Sequence, residues 1–535
     1  MLKKIALILI SFFLTLSFTW RRAVTGENNP NNEITIRENH FAAENQFISM
    51  KRERKKLPKF KKERDNLPKP FWDGHDDAID CYYKAWELAF KNLKRPAWTS
   101  GFVSNYIDTA FDGNLYMWDS VFILMFGRYG ARSFNFQGTL DNFYSHQYKD
   151  GYICRDMEQA TCKERFTRFD PSATGPDIMA WSEWEYYKNF GDKERLAKVF
   201  PCLMAYHEWM REFHTWPDGT YWSSGLGCGM DNLPRTQPGY DPASSHGHMI
   251  WNDACFQELM DCKILVEMSK VLGREADTEA LKAERKALLR TVNEKLWDDE
   301  SAFYYDLWKN GEFSYVKHLG AYWALLAEAV PDKNADRFIA HLTNEKEFAT
   351  PVMLPALSAD HPAFSPDGGY WCGGVWAPTS YMVLKGLDTY GRYTLSHKIG
   401  MNYLQSVVSV FNDTGTVFEN YAPMLGTDGK PRQGSVSHAD FVGWTGVVPI
   451  SVLFEYVFGI KPDAANNTIR WNIDLTDRFG VENYPFGKDA TLSLQCEQRE
   501  NIADEPQVDI QSDNPVTVEI VWDEGRQSKT VSVVG

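Results

Sequence analysis

The stretch WNDACFQELMDCKILVEMSKVL, residues 251–272, decides the fold class. Cys255, Phe256, Leu259, Met260, Ile264, Leu265, Met268 and Val271 recur at three- and four-residue spacing. That is the stripe of a helix, not the alternation of a strand. A second periodic run, EADTEALKAERKALLRTVNEKLW at 275–297, follows almost at once. The same spacing marks residues 78–93, 120–129, 134–146, 176–190, 194–213, 316–329, 335–342, 378–387, 393–410 and 442–458. About twelve helices over residues 73–460, with little strand-like alternation among them, predict a mainly α chain. Their number suits an (α/α)6 toroid of six inner and six outer helices, whose loops at one end would frame a central pocket.

Outward from this block the character of the chain changes. Beyond Pro462, Thr468-Ile469-Arg470-Trp471-Asn472-Ile473, Thr491-Leu492-Ser493-Leu494 and Val516-Thr517-Val518-Glu519-Ile520-Val521-Trp522 are β-rich, with turn residues between them. They predict a small all-β domain over 461–535. At the other end, Lys3 and Lys4 precede an apolar run from Ile5 to Phe18. This pattern reads as a signal peptide over 1–22 and predicts export to the periplasm or the exterior. A membrane anchor is the alternative, since no small-x-small cleavage site precedes Trp20-Arg21-Arg22. No later segment is apolar for long enough to span a bilayer. Residues 23–72, dense in charge through Lys51-Arg52-Glu53-Arg54-Lys55-Lys56, read as a solvated tether.

A net charge of −15 argues against nucleic acid as a partner. The aromatic share is 14%, with 19 Trp, 25 Tyr and 33 Phe, enough rings both to fill a core and to line a sugar site. Nine cysteines form no C-x-x-C pair. Cys154 with Cys162, and Cys255 with Cys262, could each close a small loop, or all could be buried thiols.

Two acids sit where carboxylate chemistry would need them. Asp231 lies in the loop Gly227-Cys228-Gly229-Met230-Asp231-Asn232-Leu233-Pro234-Arg235, after the aromatic pair Tyr221-Trp222. Apolar surroundings there would raise its pKa towards general-acid duty. Glu419 lies in Thr416-Val417-Phe418-Glu419-Asn420-Tyr421-Ala422-Pro423. Two acids brought to one pocket are what glycosidic hydrolysis uses: one protonates the leaving oxygen, the other attacks or activates water. Three more aromatic segments precede inner-helix candidates: Tyr116-Met117-Trp118-Asp119-Ser120-Val121-Phe122, Gly369-Tyr370-Trp371-Cys372-Gly373-Gly374-Val375-Trp376-Ala377-Pro378 and Phe441-Val442-Gly443-Trp444-Thr445-Gly446. His246 and His248 stand in a His-x-His pair without an evident third ligand, so no metal and no cofactor are expected.

In this order the five motifs resemble glycoside hydrolase family 63, in the branch of mannosylglycerate hydrolases and bacterial processing-glucosidase-like enzymes. The resemblance covers residues from about 75 to 460 and implies a six-hairpin toroid and an inverting mechanism. It places Asp231 as general acid and Glu419 as general base. Trp118, Asp119, Trp371 and Trp376 fall where the family holds the sugar. Tyr116, Asn232, Arg235, Gly373, Tyr421 and Trp444 complete the expected substrate-binding set. The substrate implied is an oligosaccharide or small glycoside with an α-linked glucose, mannose or related sugar. Cys372 and Gly374 replace the arginine and proline usual in the third motif, which leaves the sugar open. The alternatives are a trehalase-like toroid glycosidase and a non-catalytic carbohydrate-binding protein on the same fold.

Overall fold

The computed structural model describes residues 37–108 and 110–534. The expected signal peptide therefore lies outside the described residues. The periodic runs fold as helices: α1 (Asp76–Lys91), α2 (Met117–Gly127), α3 (Gly138–Tyr144), α4 (Met179–Phe190) and α5 (Lys193–Phe213). They continue with α6 (Asn252–Leu272), α7 (Glu279–Lys295), α8 (Asp332–Ala340), α9 (Ala377–Thr389) and α10 (Tyr393–Thr414). The turn between α4 and α5 shows how they are stopped and restarted. Gly191 takes φ 64°, and Asp192 then caps α5 by accepting the Arg195 N–H at 3.0 Å.

Burial separates two kinds of helix. Every residue of α2 is buried, whereas α7 buries only Leu281, Leu288 and Val292. A helix apolar all round belongs inside and one with a single stripe belongs outside. Helix α2 packs on α4, α4 on α6, and α6 on the single turn Trp323–Leu326. That turn packs on α9, which meets the helical segment starting at Thr445, and this segment returns to α2. Around them, α5 packs on α4 and α6, α7 on α6, and α10 on α9 and α1.

Two of the periodic runs fold less regularly than their spacing predicts. Residues 316–329 give only a 3-10 turn, Leu319–Tyr322, and the turn Trp323–Leu326. Glu328 ends them at φ 53°, a left-handed conformation that no helix continues through. Residues 445–457 form a 3-10 turn followed by a π-helix, Val448–Val457, a rare geometry most often met at functional sites.

Seven strands follow from Ile460: β2 (Ile460–Asp463), β3 (Thr468–Asn472), β4 (Phe479–Pro485), β5 (Thr491–Cys496), β6 (Val508–Ser512), β7 (Val516–Trp522) and β8 (Gln527–Val533). One sheet runs β8-β7-β3-β2, with β3 and β7 parallel. The other starts from a strand Lys69–Trp72 and continues through β4 and β5 to β6, antiparallel throughout. Its first strand, β1 (Lys69–Trp72), comes from the far end of the chain, Lys69 opposite Glu482 and Trp72 opposite Phe479.

This corrects the tether expected at 23–72, as far as it is described. Phe41, Phe47, Leu67 and Trp72 are buried, Glu53 accepts the Asn105 N–H at 3.0 Å, and Arg52 lies 3.6 Å over the Trp98 ring. The charges stay in water while a few widely spaced apolar anchors seat the segment, a pattern that average composition conceals. All nine cysteines are free thiols. Cys154 donates to the Asp156 carbonyl at 3.3 Å and Cys262 lies 3.7 Å from a His207 ring nitrogen, so neither faces the partner its spacing suggested. Among the described residues, no helix is long and apolar enough to cross a membrane.

Candidate active site

The acid loop is built on one tight turn. Ser224 caps the short helix Gly225–Cys228 by accepting the Gly227 N–H at 3.0 Å. Gly229 ends it at φ 80°, and a Cβ there would lie 2.8 Å from the Trp118 ring. Only glycine fits both the dihedral and the ring, and this turn buries Met230 in the core while Asp231 stays partly exposed. Asn232 then clamps the neighbouring loop. Its amide donates to the Gly369 carbonyl at 3.0 Å and its carbonyl accepts the Trp371 N–H at 2.8 Å.

That neighbouring loop is strained. Gly368, Gly369 and Tyr370 take φ 106°, 53° and 63°, and a bulky residue in the left-handed region persists only where its surroundings force it. Tyr370 is half-buried and feels the carboxylates of Asp231, Glu419 and Asp119; after burial itself, these push its hydroxyl pKa up. The phenol therefore lies within electrostatic reach of all three acids. Trp371 and Trp376 stack beneath it, centroids 4.0 Å apart and planes within 6°, and Trp444 meets Trp376 edge-on at 5.7 Å.

Glu419 is held from both sides. Its N–H donates to the His438 carbonyl at 2.9 Å, and the His438 N–H returns to Glu419 Oε2 at 3.3 Å. The Trp444 ring N–H donates to the Glu419 carbonyl at 2.8 Å and the Thr445 hydroxyl to the Phe418 carbonyl at 2.7 Å. Trp444 and Thr445 lie at the irregular helical entry of 445–457, which thus anchors the Glu419 loop.

The three carboxyls are tuned differently. Burial raises Asp231 to about 6, opposed first by Arg155 and then by Arg165. Burial raises Glu419 too, while His438 pulls it back; its imidazole Nε2 is 3.9 Å from Oε2. Asp119, in the first turn of α2 and only 7% exposed, is raised to about 8, chiefly by burial, with the Glu419 and Asp231 charges adding to it. Three buried carboxylates within electrostatic reach of one another do not ionise together, so Asp119 keeps its proton longest.

The remaining expected residues divide. Trp118 lies beside Asp119, and its buried ring N–H has no protein partner. The Tyr116 hydroxyl donates to Asp112 at 2.6 Å. Gly373, at φ 148° with the Ser365 carbonyl 2.6 Å from a notional Cβ, shapes the loop through its backbone. Tyr421 is fully buried, accepts the Phe418 N–H through its hydroxyl at 3.2 Å and packs edge-on to Tyr403, so it supports the Glu419 loop. Arg235 does not face the pocket. Its guanidinium is wholly buried and spent on Asp306 (Nε, 2.8 Å), Asp253 (Nη2, 2.9 Å) and Asn252 (3.3 Å). His246 and His248 sit among Trp216, Trp222 and Tyr240, with the His248 N–H donating to His246 Nδ1 at 2.9 Å.

Arg155, Tyr370 and His438 were not among the expected site residues. Arg155 is placed by the two-stranded antiparallel sheet that pairs Asn114–Tyr116 with Asp156–Glu158, and its carbonyl accepts the first N–H of α2 at 2.8 Å. It is 9% exposed, donates through Nε to the Ser172 carbonyl at 2.6 Å, and leaves Nη2 without a partner.

Residues 113–445 match the mannosylglycerate hydrolase MGH1-like glycoside hydrolase domain. A Borreliella burgdorferi protein named only as uncharacterized is 25% identical over 383 residues, 70% of this chain and 77% of its own. A probable mannosyl-oligosaccharide glucosidase of Schizosaccharomyces pombe is 26% identical over 341 residues, 56% of this chain but only 40% of its own. The crystal structure of the family 63 mannosylglycerate hydrolase of Thermus thermophilus with glucose superposes with a TM-score of 0.54 at 19% identity. That superposition spans 69% of this chain and 99% of that one, and shows a shared fold.

Proposed function

We propose, because the chain belongs to the mannosylglycerate hydrolase MGH1-like glycoside hydrolase family, that it hydrolyses an α-linked glucoside, mannoside or related sugar with inversion. Asp231 is the general acid and Glu419 the general base. The observation that carries this reading is that Asp119, Asp231 and Glu419 lie within electrostatic reach of Tyr370, each pushed above its ordinary range by burial. The successive packing of the inner helices supports a six-hairpin toroid, with the acids on loops at the helix entrances. The basic start and apolar run of residues 3–18 support export.

In the reaction, Asp231 gives its proton to the glycosidic oxygen as the bond to the anomeric carbon breaks. Glu419, ionised and held by the His438 N–H, takes a proton from the water that attacks the opposite face of the ring. The aglycone leaves as an alcohol, and the sugar carries the water oxygen with its configuration inverted. Asp119, protonated at neutral pH, is suited to hold sugar hydroxyls as both donor and acceptor. The test is a panel of α-glucosides, α-mannosides and α-galactosides. At least one should be turned over by the wild type and at least a hundredfold more slowly by Asp231→Asn and Glu419→Gln, in line with the roughly 10²–10⁴-fold of general acid–base catalysis. Near-wild-type turnover by either amide overturns the roles.

A further inference from the structure

On the far side of the acid loop, α4 to α7 bury a second set of ionisable groups that the reaction does not use. His207 of α5 is fully buried, and its Nδ1 faces Asp261 Oδ2 at 2.9 Å, Glu258 Oε2 at 3.1 Å and Asp177 Oδ2 at 3.7 Å. Glu258 and Asp261 are one turn apart on α6, and Asp177 lies just before α4. None of these approaches has hydrogen-bond geometry. His207 Nδ1, both oxygens of Asp177, both of Asp261 and Glu258 Oε2 are all buried without a hydrogen-bond partner. On the opposite edge of the ring, Nε2 lies 3.3 Å from Glu284 Oε2 and 3.7 Å from Cys262 Sγ. Arg211, itself 38% exposed, reaches only Glu284, at 3.3 Å.

Four carboxylates thus face one imidazole and one peripheral arginine. Unpaired carboxylates at this depth are costly, and proteins meet that cost with a cation, a metal or retained protons. The geometry favours a metal. The carboxylate oxygens of Asp177 and Asp261 and a ring nitrogen of His207 lie within 4.8 Å of one another, so modest side-chain shifts reach metal–ligand lengths of about 2.0–2.2 Å. With Nε2–H donating to Glu284, the Nδ1 lone pair is left pointing at the three acids, the tautomer and orientation of a ligating histidine backed by a carboxylate.

We propose that Asp177, His207 through Nδ1, Glu258 and Asp261 bind one divalent transition-metal ion, Mn²⁺ or Zn²⁺. Three carboxylates and an imidazole suit these ions, while the nitrogen disfavours Ca²⁺. The ion is structural, because no ligand reaches the three acids around Tyr370. It still acts on their supports. The Tyr221 hydroxyl, at the root of the acid loop, donates to Glu284 at 2.5 Å. The Tyr206 hydroxyl donates at 3.1 Å to the carbonyl of Gly175, in the segment whose Ser172 carbonyl holds Arg155.

The full chain, stripped with a chelator and dialysed, is given MnCl₂ or ZnCl₂, desalted and assayed for metal by mass spectrometry. The expected result is about one ion per chain and a rise in Tm of roughly 3–5 °C. Asp177→Asn and Asp261→Asn should hold less than a tenth as much, and Cys262→Ser should hold a full equivalent. Less than a tenth of an ion in the wild type, with no change in Tm, overturns the proposal in favour of carboxyls that share protons. Should the amides fail to fold, Co²⁺ loaded into the wild type decides. Visible ligand-field bands without a near-ultraviolet thiolate band support the Nδ1 site, and a thiolate band places the ion on Cys262 and overturns it.

Discussion

Replacing Arg155 by glutamine should move the alkaline limb of activity upward. In the proposed mechanism turnover requires Asp231 to hold its proton and Glu419 to have lost one, so kcat/KM should rise as Glu419 ionises and fall as Asp231 does. The falling limb belongs at about 6 in the wild type, and Arg155 is the first charge that keeps it from lying higher. Removing that cation makes the Asp231 carboxylate harder to form, so its pKa rises and the limb shifts to higher pH. Arg155 is 9% exposed and so weakly screened by solvent. An opposite charge in such surroundings is worth about one pKa unit, ~1.4 kcal/mol, which puts the limb near 7. Asp119 loses the same cation and shifts the same way, so the two effects do not cancel. The assay is kcat/KM from pH 4 to 9 on whichever glycoside is turned over. Arg155→Lys, which keeps the charge, should leave the limb near 6 and so separates charge from packing. A limb that stays put in Arg155→Gln, or that moves with Arg155→Lys, refutes the electrostatic reasoning.

Three further outcomes follow from single contacts. Asp119, at about 8 when folded against about 3.9 unfolded, weakens folding as pH rises from 4 to 8, because the unfolded chain releases the proton first. Asp119→Asn should therefore lose activity yet gain on the order of 2–4 kcal/mol of stability relative to wild type between pH 4 and pH 7, read from urea melts; an equal difference at both pH values contradicts the shift. Gly229→Ala puts a Cβ 2.8 Å from the Trp118 ring at φ 80° and should cut kcat at least tenfold, with a stability loss of about 1–2 kcal/mol; wild-type kcat would show that the acid loop tolerates the displacement. Arg235→Met strands Asp253 and Asp306 without charge partners and should cost about 3–5 kcal/mol, whereas a raised KM with unchanged Tm would return Arg235 to the substrate.

The helices were legible because their apolar residues recur at helical spacing: the run at 251–272 becomes α6, with Cys255, Phe256, Leu259, Met260, Ile264, Leu265 and Met268 all buried. The run at 316–329 carried the same signal, but it starts extended, with His318 at φ −144° and ψ 157°, a backbone conformation that hydrophobic spacing does not encode. Strand β1 was hidden because its partner, β4, lies some 400 residues away, and four residues are too few to show an alternation. In the site, the acids and tryptophans stood in recognisable loops. Arg155 did not, since only the pairing of Asn114–Tyr116 with Asp156–Glu158 carries it to the acids. Arg235 misled for the opposite reason. It adjoins the acid loop in sequence, but its side chain turns inward to two aspartates that only the fold brings together.

The pairing of an acid with a water-activating base is tested most directly by the anomeric configuration of the first-formed sugar. Proton NMR of an α-glycoside, taken within minutes of adding enzyme and before mutarotation, should show the β anomer appearing first. The α anomer appearing first would mean that a covalent intermediate forms and that Glu419 does not deliver water to the far face.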